Sequence, residues 1–555
     1  MDTEVLPYHW DDRARLHADY LHLQDFHERL LRDVARDLNQ MHGVDHGLRY
    51  WRILVGPWLG YFVQMLFDRW SCIQCAIRDH ELSGTIVLLG CEESLVPNDM
   101  AEFIRLFVGD EWNHHIYGAI LQQFTEVPCS RAPRQVIQGK SGAATSVSWR
   151  QQANHALARR YLRMASALSR ERDAFFLSTH LPLFDDLRVQ RRLGQMPQRW
   201  RPVPVTRIDV DASKRRWVVG GESRSPFEIC ARVLIPTQIP VVYTEGYDCL
   251  IKQSANLPWP KQPKLIWTSN SHNSDDVFKA WAAEKVEQGS RLVIGQHGGQ
   301  YGMSRWSFTE DHDIAISDRY LSWGWSDRRR KVKAVGQLKA KRPLKVRHAA
   351  QARALLVTCT MPRFSYCMYS VSVSRQWLDY FSDQCTFVSS LPRPIRDALI
   401  VRLYPEDYGW DQLSRWRDRF PDLQLDQGDS SIDNLIRQSR LYISTYNATT
   451  FLESFTMNVP TVIYWNPGHW ELRESAESCF ADLKRVGIFH ETPESAAQHV
   501  AAIWDDIDAW WQSAAVREVL DRFKHRYCRL PDDLVGRVAE AVREVMITAD
   551  ETAPQ

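Results

Sequence analysis

The 555-residue sequence has no apolar run long enough to cross a membrane. Its longest candidate, ILVGPWLGYFVQMLF, has 15 residues and is followed by Asp68 and Arg69, whereas a spanning helix needs about 20. This run therefore predicts a buried helix. The N-terminal stretch MDTEVLPYHWDDRARL carries acids where a secretory signal peptide carries bases. We accordingly predict a cytoplasmic protein without a transmembrane segment.

The sequence also has little net charge, +1 from 69 basic and 68 acidic residues. A nearly neutral chain creates no broad field that would attract nucleic acid or an anionic membrane over its whole surface. We therefore predict no nucleic-acid partner, and we expect recognition of charged ligands to depend on local groups.

Cysteines are few and scattered, eleven in all, and only Cys72 and Cys75 are close in sequence without a second pair to complete a zinc site. This usage is typical of a reduced protein. One N-terminal group combines acids with histidines: His9, Asp11, Asp12, Asp110, Glu111, His114 and His115. Their spacing lacks the paired pattern of metal-binding helices, so we predict no metal ion and no cofactor.

The spacing of apolar residues changes along the chain. Apolar residues recur every three to four positions over the first 125 residues, and later short apolar strands alternate with helical stretches. That alternation is typical of parallel α/β structure. We predict an α/β fold of two Rossmann-like lobes with a helical N-terminal extension. Two such lobes in series resemble the GT-B architecture of glycosyltransferases.

Three segments follow from this pattern. Residues 1–125 form a helical region that is part of the N-terminal lobe, 126–340 the N-terminal α/β lobe on the acceptor side, and 341–555 the C-terminal α/β lobe on the donor side, whose last helix can cross back. We expect a loose connection over 126–150 and a helix over 151–170. Ligands of open parallel sheets bind beyond the carboxyl ends of the strands, so the cleft between the lobes is the expected site.

The stretch LYISTYNATTFLESF provides the clearest candidate site. A strand ends at Ser444 and Thr445, and Asn447 or Thr449 can cap a helix whose first N–H groups bind a phosphate. Glu453, one turn further on, can accept hydrogen bonds from a ribose. The pattern resembles the nucleotide-sugar-binding element of GT-B enzymes, and this resemblance implies a nucleotide-sugar donor site. In the alternative interpretation, Thr449 is only a cap and Glu453 a solvated helix residue.

Arg402 lies inside the apolar strand of ALIVRLYPEDYG, and Tyr404 follows on the same face. A buried arginine needs an anionic partner, and a donor phosphate is one candidate. An internal salt bridge to a neighbouring carboxylate is the alternative. Both residues are included as donor-binding candidates.

The stretch RLVIGQHGGQYG places His297 directly after an apolar strand, between Gln296 and the glycines Gly298 and Gly299. The glycines permit close backbone approach, so N–H groups can contact a phosphate or sugar. The imidazole can then serve as a general base. The stretch lacks the residues of a P-loop or a dinucleotide fingerprint. A structural histidine that locks the turn is the alternative.

Two further polar clusters follow predicted strands. WTSNSHNSDD supplies Asn270 and Asp276 as cleft-lining candidates, although helix capping by Asp275 or Ser274 explains part of this cluster. VVYTEGYD supplies Glu245. Glycosyl transfer needs a group that deprotonates the acceptor hydroxyl, and His297 and Glu245 are the catalytic candidates.

Six stretches, LPYHWDDR, RYWRILVGPWLGYFVQMLFDRW, DEWNHHIY, IGQHGGQYG, LSWGW and STYNATTFLES, together resemble a transferase family encoded among O-antigen, surface-polysaccharide and flagellin-glycosylation genes. The resemblance implies a sugar transferase that acts on bacterial surface glycans, including lipopolysaccharide, or on glycoproteins. It also hints at a CMP-linked acidic sugar as donor. It supplies no catalytic residues.

These observations combine into one hypothesis, a metal-independent glycosyltransferase in which the glycine-rich loop of one lobe faces the 444–449 turn of the other. One alternative is a nucleotide-sugar epimerase of the same fold, which needs acid and base groups on both faces of one sugar. Another is a non-catalytic glycan-assembly protein that binds glycans through its tryptophans.

Overall fold

The computed structural model describes residues 4–90, 92–134, 170–339, 352–365 and 368–550. The predicted α/β class is confirmed, because two parallel sheets of five and six strands form the centres of two lobes. The helix predicted over 151–170 lies almost wholly outside these ranges. Within them, no helix is both long and apolar enough to span a membrane.

The N-terminal region is a layer of helices with one small sheet. Its helices are α1 (Arg13–His42), α2 (Leu48–Leu54), α3 (Gly56–Asp79), α4 (Met100–Leu106) and α5 (Asp110–Phe124). Strands β1 (Thr85–Leu89) and β2 (Cys129–Pro133) pair in parallel. The longest apolar run lies across α2 and α3 and is buried, as predicted. The prediction of a loose connection over 126–150 is wrong at 129–133, where β2 pairs with β1.

The first large sheet has the strand order β3-β4-β5-β6-β7. Its strands are β3 (Phe175–Phe176), β4 (Leu265–Thr268), β5 (Arg291–Gly295), β6 (Arg319–Ser322) and β7 (Val332–Ala334). The helices of this lobe are α6 (Leu183–Arg192), α7 (Pro226–Gln238), α8 (Tyr247–Ala255), α9 (Ser271–Ser274), α10 (Asp276–Glu287) and α11 (Phe308–Ile316). The predicted cap of α10 is confirmed, because the Asp275 carboxylate accepts a hydrogen bond of 3.0 Å from the N–H of Phe278.

The second large sheet has the order β10-β9-β8-β11-β12-β13. Its strands are β8 (Ala354–Val357), β9 (Leu399–Arg402), β10 (Gln424–Asp426), β11 (Leu441–Ser444), β12 (Thr461–Tyr464) and β13 (Phe489–His490). After β8 the chain adds β9 and β10 on one side of the sheet, and after β11 it adds β12 and β13 on the other side. This is a topological switch point, where parallel sheets open a crevice beyond the strand ends.

The helices of the second half begin with α12 and end with the last helix of the chain. They are α12 (Gln376–Ser390), α13 (Arg393–Asp397), α14 (Gln412–Arg419), α15 (Ile432–Gln438), α16 (Thr449–Met457), α17 (Glu474–Arg485), α18 (Pro493–Ile503), α19 (Ile507–Gln512), α20 (Ala514–Tyr527) and α21 (Leu534–Asp550). The last helix, α21, packs against β5, β6 and α6 of the first lobe.

The N-terminal region also packs against the second lobe. Arg13 donates hydrogen bonds of 2.7 and 2.8 Å to the two carboxylate oxygens of Glu471. Buried Arg69 donates to the carbonyl of Ser365. Helix α2 packs against α10 of the first lobe, so the helical layer contacts both lobes.

Candidate active site

The carboxyl ends of the two large sheets both lie at the interface between the lobes. We call the residues that follow β3, β4 and β5 the first edge: 178–180, 269–272 and 296–299. The second edge consists of the residues that follow β8 and β11, 358–360 and 445–447. Residues after parallel strands share one side of a sheet, so each edge gathers side chains from distant parts of the sequence.

The first edge meets the helix that follows the second edge at Gly299. Its N–H donates a hydrogen bond of 3.0 Å to the hydroxyl of Thr449. A Cβ atom at Gly299 would lie only 2.5 Å from the carbonyl oxygen of Ala448, so this close approach requires glycine. The structure thus brings the glycine-rich loop against the start of α16.

Gln296 holds the glycine-rich loop in place through the hydrogen bonds of its side-chain amide. Its amide nitrogen donates to the carbonyl of Gly298 at 2.8 Å. Its amide oxygen accepts hydrogen bonds of 2.9 Å from the N–H of Trp323 and 2.8 Å from the indole of Trp325. Gln296 is fully buried, so it positions the loop and does not line the cleft as predicted.

His297 is partly exposed at the interface, with 29% of its side chain accessible. Its Nδ1 lies 3.8 Å from the carboxylate of Asp313, and its Nε2 lies 3.4 Å from the Tyr301 hydroxyl. Burial outweighs the nearby carboxylate and lowers the pKa of His297 to about 4. The imidazole is therefore neutral at pH 7 and can accept a proton.

Asp313 lies between two imidazoles. One of its oxygens is 2.6 Å from Nε2 of His272, and the other is the oxygen that faces His297. A carboxylate in this position stabilises an imidazolium that forms during proton transfer and orients the ring. Sequence reasoning missed Asp313 because it lies inside α11, without a local signal.

His180 is a third imidazole at the first edge that sequence reasoning missed. Ser178 and His180 have φ values of 54° and 67°, a left-handed conformation that is uncommon outside glycine and often marks functional sites. Burial, followed by the charge of Lys339 and of His297, lowers the pKa of His180 to about 3. The available signal was STH directly after the apolar strand, the same pattern that identified His297.

The hydroxyls of the second edge have structural partners. Thr445 donates to the carbonyl of Val357 at 2.9 Å and lies 2.5 Å from the hydroxyl of Tyr380. Ser444 donates to the carbonyl of Tyr446 at 3.3 Å. These two candidates tie β11 to β8 and shape the turn. Their side chains therefore support the site without pointing a free hydroxyl at it.

Asn447 differs from its neighbours because its amide has no partner. The residue is only 3% exposed, and neither its side-chain oxygen nor its nitrogen makes a hydrogen bond within the described chain. Buried polar groups are rarely left unpaired unless a ligand or water completes them. The predicted capping role is wrong, since Ala448 occupies the N-cap of α16 and no side chain caps that helix in the described structure.

Glu453 lies one turn into α16 and is buried. This position contradicts the alternative interpretation that it is a solvated helix residue. Its proximity raises the pKa of Tyr442 slightly, although burial is the main cause of that shift. The carboxylate is thus part of the interior beneath the start of α16.

Two charged candidates have protein partners that account for them. Arg402 donates to Asp426 at 2.5 Å, which is the internal salt bridge that we gave as the alternative to a phosphate. Buried Glu245 receives hydrogen bonds of 2.7 and 2.8 Å from Arg215, and no free oxygen is left for base catalysis. These pairs correct the predicted roles of Arg402 and Glu245.

Among the remaining candidates, Asp276 is fully buried and pairs with Lys279 at 2.8 Å and with the N–H of Met100 at 2.7 Å. It therefore does not line the cleft. Asn270 is exposed after β4, as its predicted role requires. Tyr404 is 40% exposed beyond the end of β9.

One N-terminal group has metal-ligand types within 4.8 Å of one another: His9, Asp68 and Cys72. However, Asp68 already accepts a hydrogen bond of 2.6 Å from Tyr8 and pairs with Arg69 at 2.9 Å. Burial raises the pKa of the Cys72 thiol, which keeps it protonated and a poor ligand. These residues do not fit a metal ion.

Comparison with known proteins adds a family. A model of the LIC12162 family transferases matches residues 1–540. No curated protein sequence matches the chain.

Several solved structures are similar in fold. The wall teichoic acid polymerase TagF is 9% identical with a TM-score of 0.30, over 72% of this chain and 97% of that chain. MurG of Acinetobacter baumannii is 12% identical with a TM-score of 0.34, over 67% and 99%. WaaG, a glycosyltransferase involved in lipopolysaccharide biosynthesis, is 11% identical with a TM-score of 0.28, over 66% and 99%. Similarity at this level carries no inference about activity.

Proposed function

The chain belongs to the LIC12162 family of transferases, and from this premise we propose that it is a GT-B glycosyltransferase. It moves a sugar from a nucleotide-sugar donor to a bacterial surface glycan or glycoprotein. The observation that carries the proposal is the contact of Gly299 with Thr449. It supports the proposal because the loop of His297, the proposed proton acceptor, then meets the start of α16, the proposed phosphate site.

The donor phosphate binds at the start of α16 in this proposal. Free N–H groups at a helix N-terminus attract anions, and the amide of Asn447 can donate to a phosphate oxygen. The position fits the switch point between β8 and β11, where open parallel sheets bind their ligands. Thr445 and Ser444 keep the turn in shape, and Glu453 lies beneath it.

His297 acts as the general base. The acceptor hydroxyl attacks the anomeric carbon, its proton passes to His297, and the bond from that carbon to the donor phosphate breaks. The charge that develops on the leaving phosphate is stabilised by α16 and Asn447. Asp313 stabilises the imidazolium, and His272 positions Asp313 through their 2.6 Å contact. Removal of the base typically lowers the rate by ~10²–10⁴-fold.

The proposal extends to the setting of the reaction. We place the enzyme in the cytoplasm, in peripheral contact with the membrane, and assign it neither a metal ion nor a cofactor. The genes that the sequence resemblance points to favour O-antigen, surface-polysaccharide or flagellin glycans as acceptors and a CMP-linked acidic sugar as donor.

The test is a thermal-shift screen of the purified chain against UDP-, GDP-, dTDP- and CMP-linked sugars. A ligand that binds only the folded state raises Tm by mass action, so we expect one base to stand out. The Asn447→Ala variant should show a smaller shift at the same ligand concentration. A flat response to all four nucleotides would refute the proposal.

A nucleotide-sugar epimerase is the second candidate, and one observation favours it. His180 and His297 both lie at the first edge, because each follows a strand of the same parallel sheet. Two imidazoles can serve two faces of one sugar. Incubation with the donor alone decides between the candidates, because an epimerase makes a new nucleotide sugar without any acceptor.

A further inference from the structure

A cavity of about 560 Å³ opens beside the first edge and has no role in the mechanism above. Ser178, Asn270, Ser274 and Asp275 line one wall of it, and the segment 202–205 lines another. Its volume is in the range of small-ligand sites, which hold one or two sugar rings.

The cavity adjoins the proposed reaction centre through one short turn. Ser178 and Ser271 line the cavity, and His180 and His272, which follow them closely in the chain, belong to the first edge. The turn is held firmly, because the Thr179 hydroxyl donates to Asp186 at 2.6 Å and the Thr179 carbonyl accepts from Ser269 at 2.9 Å. A molecule in the cavity would therefore adjoin the turn that carries His180, and two hydrogen bonds anchor this turn.

The walls of the cavity match the two kinds of surface that a sugar ring presents. Asn270 is exposed, and its amide can both donate to and accept from hydroxyl groups. One oxygen of Asp275 caps α10, whereas its Oδ2 is buried without a hydrogen-bond partner in the described chain. The opposite wall, PVPV at 202–205, is apolar and suits the C–H face of a ring.

The charge of the cavity restricts what can enter. Its charged lining residues are Asp99, Asp275 and Asp276, and no basic residue is among the described residues that line it. Asp276 is already paired with Lys279 at 2.8 Å, so a carboxylate or phosphate on the ligand would face mainly Asp99 and Asp275. Such repulsion costs about 1 kcal/mol per contact in a solvated site, and it is a means of rejecting the wrong partner.

We propose that this cavity is the acceptor subsite and that it takes an uncharged sugar through hydrogen bonds from Asn270 and to Asp275 while excluding uronic and other acidic sugars. This assignment rests on the proposed function, because only a transferase needs an acceptor sugar. Asp275 thereby becomes a specificity-determining residue.

The experiment measures direct binding by saturation-transfer NMR. The probes are the methyl glycosides of glucose, galactose and mannose, each beside its uronic acid, at pH 7.5. We expect at least one neutral glycoside to bind, and its uronic acid to bind about fivefold more weakly because of repulsion by the acids.

Ala101 allows the cavity to be filled from its exposed rim. Ala101→Trp should abolish glycoside binding. Ala481→Trp is the matched control, an exposed helical alanine of the second lobe, and it should bind like the wild type. Asp275→Asn keeps the helix cap and should reduce the discrimination against the uronic acid.

The outcomes separate the two proposals. Unchanged glycoside binding in Ala101→Trp, equal binding of uronic and neutral sugars by the wild type, or no binding of any glycoside would overturn the assignment of the cavity. Nucleotide binding in the thermal-shift screen should be unaffected by Ala101→Trp. Glycoside binding without any nucleotide response would contradict the proposed donor site and leave the sugar site standing.

Discussion

The two sheet edges that meet at the lobe interface differ in their chemistry. The first edge carries His180, His272 and His297, with Asp313 between two of them. The second edge carries hydroxyls with protein partners and the unpartnered amide of Asn447. One edge is suited to moving protons and the other to holding an anion through neutral dipoles. A group-transfer reaction needs both, and neither lobe alone supplies them.

The difference follows from how each sheet is wound. In the first sheet the strands follow in chain order, so successive strand ends place polar residues side by side. In the second sheet the order reverses between β8 and β11, which makes this point the topological switch of the sheet. Helix α16 begins shortly after β11 at this switch point, and a helix start can bind anions without carrying a full charge.

The largest expected effect is the loss of kcat when His297 at the first edge is replaced. His297→Ala should lower kcat by ~10²–10⁴-fold because the general base is lost, while the nucleotide still raises Tm. Steady-state assays of nucleotide release and the thermal shift measure the two quantities. In the wild type, kcat/KM should fall on the acid side around pH 4, where His297 becomes protonated. The exposed His22 provides a control, and equal losses in His22→Ala would remove the special role of His297.

The second prediction concerns the charge of Asp275, which lies just beyond the first edge. Burial raises the pKa of Asp275 to about 6, so the folded state favours its protonated form. Wild-type stability should therefore fall relative to Asp275→Asn as pH rises from about 4 to about 6. The loss should reach up to about 3 kcal/mol at neutral pH. Urea denaturation of both proteins at pH 4, 5, 6 and 7.5 checks this. If the difference in unfolding free energy between the two proteins is the same at every pH, the pKa of Asp275 is not raised by burial.

The third prediction tests the contact between the edges. Gly299→Ala places a methyl group against the carbonyl of Ala448 and should destabilise the fold by ~1–3 kcal/mol through overpacking. Nucleotide binding should also weaken as α16 shifts. Gly298→Ala is the matched control, because its new methyl group meets only the end of the Gln300 side chain. Chemical denaturation compares the two variants, and similar losses would mean that the edges do not meet at Gly299.

The smallest effect is expected at the second edge. Asn447→Ala should weaken nucleotide binding by about tenfold without lowering the unfolding free energy, since the amide has no hydrogen bond to lose in the free protein. Thr445→Val should instead lower the unfolding free energy and leave nucleotide binding nearly unchanged, because it removes the hydrogen bond to the carbonyl of Val357. Calorimetric titration and denaturation measure the two quantities. A large stability loss in Asn447→Ala would show that the amide already has a partner.

The parts of the site that follow a strand could be predicted from the sequence. An apolar run followed by small or polar residues marks a parallel strand and its carboxyl end, and this rule located His297, Asn270 and the turn at Asn447. The same rule misjudged Arg402 and Glu245, because a strand-end position does not reveal that Asp426 and Arg215 neutralise them. Charge pairing between distant residues has no local sequence signal.

The amino-acid sequence alone determined the elements: which segments are buried strands, which helices separate them, and which polar residues lie at strand ends. These properties depend on neighbours a few positions away, through hydrophobic periodicity and backbone preference. Tertiary structure decided which of those polar residues keep a free atom. Asp313 reaches His297 from inside a helix, the Thr449 hydroxyl accepts a hydrogen bond from the N–H of Gly299, and the Asn447 side chain has no partner among the described residues. Burial and pairing of this kind depend on contacts between residues far apart in the chain.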